Sequence, residues 1–183
     1  MGNAEPKELS RRVIFSGHKV QLELHEIEDP SGRRSTREIV RHNGSVAILA
    51  LRRRSDGSRE VLLERNYRYA FGRWCIEIPA GTLDHPGESP EDCARRELIE
   101  ETGFCAREMR HLLTIMPSPG FLTERLTIFL AEEPAPGRAA LEPGELIEIV
   151  WTPWAEVLRM IRAGEIEDAK TIAAVLYYES FCV

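Results

Sequence analysis

The chain has 183 residues, 43% of them hydrophobic, which is enough to bury one full core and too few for two ordinary domains. Its net charge of −6 argues against nucleic acid as a partner, because proteins held by phosphate-backbone attraction carry a basic face. The first thirty residues hold no apolar run of signal-peptide length, and nowhere do eighteen uncharged apolar residues follow one another; a soluble, cytoplasmic protein without membrane contact is expected.

The local periodicity changes several times along the chain, which is how a mixed α/β domain reads. Val13 to Phe15 and Val20 to His25 flank a Ser16-Gly17-His18 turn and predict a hairpin. Thr36 to His42, Ser45 to Leu51 and Val61 to Arg65 follow as β-rich runs, the last two separated by Ser55-Asp56-Gly57. Trp74 to Pro79 is another short strand. Ser89 to Thr102 reads as a helix: Ser89 is the N-cap, Pro90 takes the first helical position, Asp92 completes an S-x-x-D box and Gly103 is the stop. Arg125 to Ala131 and Leu146 to Trp151 return to strand, and the Pro- and Gly-containing stretch 132–144 between them is expected to be a loop. Two helices close the chain, one with Trp154, Val157, Leu158 and Ile161 at helical spacing, the other with Ile172, Val175 and Leu176; both stripes are expected in the core. Cys75, Cys93, Cys105 and Cys182 show no CxxC pairing and are expected as small core residues. The five histidines lack any zinc-binding spacing.

The informative stretch is Gly81 to Phe104, GTLDHPGESPEDCARRELIEETGF, a loop followed by the capped helix. At about 100° per residue, Glu97, Glu100 and Glu101 fall within roughly one third of the helix circumference, so three carboxylates share one face. Hard oxygen ligands at this density suit magnesium, with manganese as an alternative. Spacing alone fits equally well a solvated acidic face steadied by Arg95 and Arg96.

The same stretch resembles the Nudix box, G-x5-E-x7-R-E-U-x-E-E-x-G-U with U bulky and apolar. Glu88 is followed by seven residues and then Arg96, Glu97, Leu98, Ile99, Glu100, Glu101, Thr102, Gly103 and Phe104, which match every fixed position after the first. Six residues rather than five separate Gly81 from Glu88, so the loop carries one extra residue around His85-Pro86-Gly87, an insertion that costs little in a loop. Trp74-Cys75-Ile76-Glu77-Ile78-Pro79-Ala80-Gly81 is similar to the W-x-E-x-P-A-G entry of the ADP-ribose pyrophosphatases, and Met116 to Phe121 resembles their proline-marked loop. Arg37-Glu38-Ile39-Val40 and Asn66-Tyr67-Arg68 look like their substrate-contacting strands.

This resemblance implies an α/β/α sandwich with a mixed β-sheet over residues 43–183, preceded by a small N-terminal β extension over residues 1–42 that helps to build a homodimer and contacts substrate. It implies magnesium-dependent hydrolysis of ADP-ribose to AMP and ribose 5-phosphate. Glu97, Glu101, Glu145 and the Ala80 carbonyl would hold the metal, Arg96 would orient the helix glutamates, and Glu100 would belong to the catalytic set. Arg37, Arg68, Ser118 and Glu124 would contact the substrate. Glu145 is the expected base, with Glu142 and Glu124 as alternatives. Another nucleoside diphosphate sugar, such as GDP-mannose, is the competing substrate. A domain that senses ADP-ribose without cleaving it is a reading of a different class, and the intact Arg96, Glu97, Glu100 and Glu101 speak against it.

Overall fold

The computed structural model describes residues 5–138 and 146–182. In chain order the elements are β1 (Lys7–Ser16), β2 (Val20–Glu28), β3 (Arg34–His42), β4 (Ser45–Arg53), β5 (Arg59–Arg68), β6 (Arg73–Glu77), β7 (Ala80–Thr82), α1 (Pro90–Thr102), β8 (Phe104–Cys105), β9 (Arg110–Ile115), β10 (Leu126–Glu132), β11 (Ala135–Pro136), β12 (Ile147–Pro153), α2 (Trp154–Arg162) and α3 (Ala169–Phe181). They cluster into two units: residues up to Gly44 together with Met116–Arg125, and Ser45–Ile115 together with the chain from Leu126 onward.

The first unit is a three-stranded antiparallel sheet in the order β1-β2-β3. The segment 116–125 joins it through the Val40 amide, which donates to the Phe121 carbonyl at 2.7 Å, and the Thr123 amide, which donates to the Val40 carbonyl at 3.0 Å. The sequence reading leaves this segment in the domain that follows residue 42. Only backbone pairing shows that it belongs with β3. Along β1 every residue is exposed, including Val13, Ile14 and Phe15.

In the second unit β4 decides the architecture. Val46 to Leu51 are apolar without alternation and all buried, so this strand must be covered on both faces. Its even-numbered residues, Val46, Ile48 and Ala50, pack with Leu62 against Cys93, Ala94 and Leu98 of α1. Its odd-numbered residues, Ala47, Leu49 and Leu51, pack with Val61 and Leu63 against Val157 of α2 and Ala174, Val175 and Tyr178 of α3. Each of the valines, leucines and isoleucines among them contributes roughly 1.5–3 kcal/mol by leaving water. The result is the expected α/β/α sandwich. Its sheet runs β12-β5-β4-β10-β9, with β6 paired to β5 and β7 to β4; β10 lies parallel to β4 and the other pairs are antiparallel.

Strands β4 and β5 pair only over Leu51–Arg53 and Arg59–Val61. Beyond that point β5 continues with β6, and β4 continues with β7. The sheet therefore forks, and the connection across the fork is Ile78-Pro79, which leads into Ala80.

Several sequence expectations need correction. Leu176 is exposed, because the inward row of α3 is Thr171, Ala174, Val175 and Tyr178, one residue out of step with the expected stripe. Among the cysteines only Cys93 is fully buried; Cys75 and Cys105 are half-buried and Cys182 is exposed. The stretch 132–144 is not all loop, since Ala135–Pro136 pairs with Phe104–Cys105. No sequence pattern marks strand β9: it opens with Arg110 and His111 and, among the described residues, is an edge strand paired with β10.

Candidate metal and catalytic site

Helix α1 begins and ends where its sequence signals place it. Ser89 Oγ accepts the Asp92 N–H at 3.1 Å and donates to the Asp92 carboxylate at 2.6 Å, so the cap hydroxyl is used in both directions. Gly103 closes the helix with φ 71° and donates its N–H to the Ile99 carbonyl, a left-handed conformation that favours glycine. The extra loop residue is absorbed in a turn from His85 to Glu88, with Pro86 and then Gly87 (φ 83°) at its two central positions. Glu88 thereby stays in reach of the helix.

Arg96 is the hub of the helix face. Its Nε and Nη2 donate to the two oxygens of Glu88 at 2.9 and 3.1 Å, and its Nη1 donates to Glu97 at 2.7 Å and Glu100 at 2.9 Å. Asp84 adds a longer contact at 3.4 Å. Four carboxylates thus surround one guanidinium whose side chain is 17% exposed. The Arg96 hydrogen bonds hold Glu88 below the usual carboxylate range. Glu97 behaves oppositely: burial, helped by the charges of Glu100 and Asp84, pushes it up to about 7 against the pull of Arg96. One guanidinium does not neutralise this cluster, and a cation would complete it.

A solvated acidic face is therefore excluded. Glu101 is buried, and one of its oxygens accepts the Ala80 N–H at 3.0 Å. Glu97 lies so close to Gly81 that a Cβ added there would fall 1.9 Å from the Glu97 Cδ. The glycine leaves room for a carboxylate against the backbone of β7, and the donors assembled are hard oxygens, so these residues fit a hard divalent ion. Among the described residues no three His, Cys, Asp or Glu side chains form a complete cage. Arg95, which would steady the glutamates of a solvated acidic face, bonds Glu91 at 2.8 Å and the Ala106 carbonyl at 2.7 Å.

Replacing Arg96 with Lys should show what the planar fork supplies. A lysine offers one point charge in place of a guanidinium that serves four carboxylates at once. We expect turnover to fall by about tenfold or more, with a higher metal requirement, because orienting partners of metal ligands are typically worth that much. Steady-state rates measured across a magnesium titration check this; unchanged rates at limiting magnesium would remove Arg96 from the orienting role.

Arg68 lies on β5 and gives both forks of its guanidinium to Glu77, at 2.7 and 2.6 Å. Burial alone would raise the Glu77 carboxyl, but Arg68 and the Lys170 charge outweigh it and hold it low. Arg68, Phe71, Trp74, Glu77 and Lys170 line a cavity of about 830 Å³. Beside Glu77 in the strand register stands Glu64, fully buried, with Oε1 accepting from Asn66 at 3.4 Å and Oε2 lacking any partner among the described residues.

Burial, reinforced by the Glu77 charge, pushes Glu64 from 4.5 up to about 7. A raised acid favours folding while it is protonated, so its contribution is present below about pH 4.5 and is lost as pH rises through about 7. Glu64→Gln removes this dependence. The variant's stability relative to the parent should rise by on the order of 3 kcal/mol between pH 5 and pH 8. Denaturant unfolding at both pH values reads the gap, and a gap that does not change with pH would refute the assignment.

The remaining candidates that the structure describes all lie in the first unit. Arg37 is exposed on β3 and donates to the Thr36 carbonyl at 2.9 Å; Ser118 accepts the Phe121 and Leu122 amides through its carbonyl; Glu124 is half-buried in the same unit. Glu142 and Glu145 lie outside the described residues. The structure adds Asp84, Glu77, Glu64, Lys170 and Thr171, to which the sequence reading gave no role. Glu77 carried a signal, since it stands in the quoted W-x-E-x-P-A-G run, whereas Lys170 and Thr171 meet their partners 93 residues away and left none.

The NUDIX domain model matches residues 41–175. An ADP-ribose pyrophosphatase of Bacillus subtilis (strain 168) is 35% identical over 98% of this chain and 95% of its own length. A GDP-mannose pyrophosphatase of Salmonella paratyphi B is 35% identical over 78% of this chain and 81% of its own. A crystal structure of an ADP compounds hydrolase superposes with a TM-score of 0.84 over 99% of this chain and 96% of its own, at 22% identity, which speaks for the fold alone. With the Arg96-centred carboxylates of the box helix in place, the chain belongs to the Nudix family and is a hydrolase of pyrophosphate bonds.

Proposed function

We propose that the protein hydrolyses ADP-ribose to AMP and ribose 5-phosphate with magnesium, as a cytoplasmic homodimer. The observation that carries the reading is the box helix itself, where Glu97 and Glu101 stand against the backbone of Ala80 and Gly81 and Arg96 holds the neighbouring acids. Full-length similarity to an ADP-ribose pyrophosphatase supports the substrate. The exposed Val13, Ile14 and Phe15 on β1 support self-association, since such patches mark interaction surfaces. Light scattering at micromolar concentration tests the dimer, and a monomer would contradict it.

A pyrophosphate resists hydrolysis because its negative oxygens repel an incoming nucleophile. Glu97, Glu101 and the Ala80 carbonyl would hold magnesium, which when bound would supply neutralisation of that charge and a lowered pKa for its water. Arg96 keeps Glu97 and Glu100 in place while that charge is collected. Glu145, by resemblance, accepts the proton of the attacking water, with Glu142 and Glu124 behind it as alternatives. Arg68, aimed by Glu77 through Nε and Nη2, has its Nη1 group and its charge to offer to phosphate oxygens. The 830 Å³ cavity beside it has the size and the mixed aromatic and charged lining of a small-molecule pocket. Arg37, Ser118 and Glu124 are carried as substrate contacts on the resemblance, and the KM values of single alanine variants test each.

The similarity to a GDP-mannose pyrophosphatase favours a second substrate reading with the same chemistry. Rates with ADP-ribose, GDP-mannose, NADH and diadenosine polyphosphates, each with magnesium and after chelation, separate the two. The highest kcat/KM on ADP-ribose, lost on chelation, is the expected result. Preference for GDP-mannose would replace ADP-ribose as the substrate, and activity that survives chelation would overturn the metal.

A further inference from the structure

The first turn of α3 reaches both segments that carry the site. Asp168 caps the helix, accepting the Thr171 N–H at 2.9 Å and the Thr171 hydroxyl at 2.5 Å. With its only proton committed there, Thr171 Oγ1 accepts the Ile78 N–H at 2.9 Å, two residues before Ala80. Lys170, only 9% exposed, bonds Asp168 at 3.0 Å and also Glu77, the acid that holds Arg68 by both forks. One helical turn therefore holds the consecutive residues Glu77 and Ile78, the point where the chain leaves β6 for Ala80.

Charge balance alone does not explain this arrangement. Arg68 and Lys170 face Glu77 and Asp168, two cations to two carboxylates, but exposed groups would balance as well, without the desolvation that burying Lys170 costs. Nor does helix capping explain it, because Asp168 caps α3 without any need for the Thr171 hydroxyl to point back at Ile78. What the cluster does achieve is to fix the direction of the Arg68 guanidinium and the height of the chain that presents Ala80 to Glu101.

We propose that Asp168, Lys170 and Thr171 are positioning residues for the hydrolytic site: Thr171 sets the backbone that offers Ala80 to the cation, and Lys170, through Glu77, sets Arg68 for the substrate. The inference rests on the metal-dependent reading above, and its two arms are read separately. Thr171→Val keeps the shape and removes both hydroxyl bonds. The Mn²⁺ affinity of the substrate-free protein, taken from the electron paramagnetic resonance signal of unbound Mn²⁺, should fall by about tenfold, while Thr171→Ser keeps parental affinity.

Lys170→Met should raise the KM for ADP-ribose by about tenfold with little change in kcat and no loss of Mn²⁺ affinity. In a Glu77→Gln background the same replacement should add little, because Lys170 acts through Glu77. Thermal melting establishes that each variant is folded, and the Lys170 arm decides by itself if Thr171→Val is not. Parental Mn²⁺ affinity in folded Thr171→Val, an equal loss in Thr171→Ser, or an unchanged KM in Lys170→Met would overturn the proposal. The Mn²⁺ measurement needs no substrate, so a parent protein that fails to turn over ADP-ribose rejects the substrate reading while the positioning role is still judged.

Discussion

Replacing Glu101 with Gln should abolish metal binding and turnover together. The amide keeps the size of the side chain and can still accept the Ala80 N–H that the carboxylate now takes at 3.0 Å, so the fold is expected to survive. What is lost is the charge, at a buried position where water cannot replace it. We expect Mg²⁺ or Mn²⁺ affinity and kcat to drop by at least about a hundredfold, and raising the pH should not restore the rate, because the defect lies in charge neutralisation and not in proton transfer. Calorimetric titration with Mn²⁺ beside steady-state kinetics reads both. A variant that binds metal as the parent does would remove Glu101 from the ligand set.

The second large effect is expected at Glu145, and it should look different. Glu145→Gln should leave ADP-ribose binding nearly intact while turnover falls by on the order of a hundredfold or more, the range for losing a positioned base. Raising the pH should recover part of the rate, since hydroxide replaces the missing base. Near-normal turnover in saturating magnesium would place the base elsewhere, and Glu142 and Glu124 would be tested in turn. The contrast between the two glutamate variants under a pH change separates a charge-holding acid from a proton-accepting one.

How much of this was legible beforehand differs from element to element. Helix α1 could be read almost to the residue because its start and stop are set by local chemistry: Ser89, Pro90 and Asp92 act within one turn, and Gly103 acts on the residue four before it. The uninterrupted apolar run of β4 likewise announces a strand covered on both faces. Strand β9 and the pairing of β8 with β11 could not be read, since edge pairs depend on partners that arrive later in the chain. The α3 stripe lies one residue from where the helical spacing puts it because its inward direction is set by packing on β4 and β9, not by the helix alone.

The same division holds at the site. The sequence by itself determined the family, the α/β class and the identity of the acids on α1, because a box of fixed residues on a capped helix depends only on spacing along one element. Tertiary structure alone decided how those acids are used. It buried Glu101 against Ala80, set Glu97 against Gly81, drew Glu88 and Asp84 to Arg96, and turned Arg95 away to Glu91 and Ala106. It also joined Glu77 and Ile78 to Lys170 and Thr171 across 93 residues. The physical reason is that burial and hydrogen bonding are properties of elements brought together, and no local pattern in a sequence states which distant side chain will satisfy a buried charge.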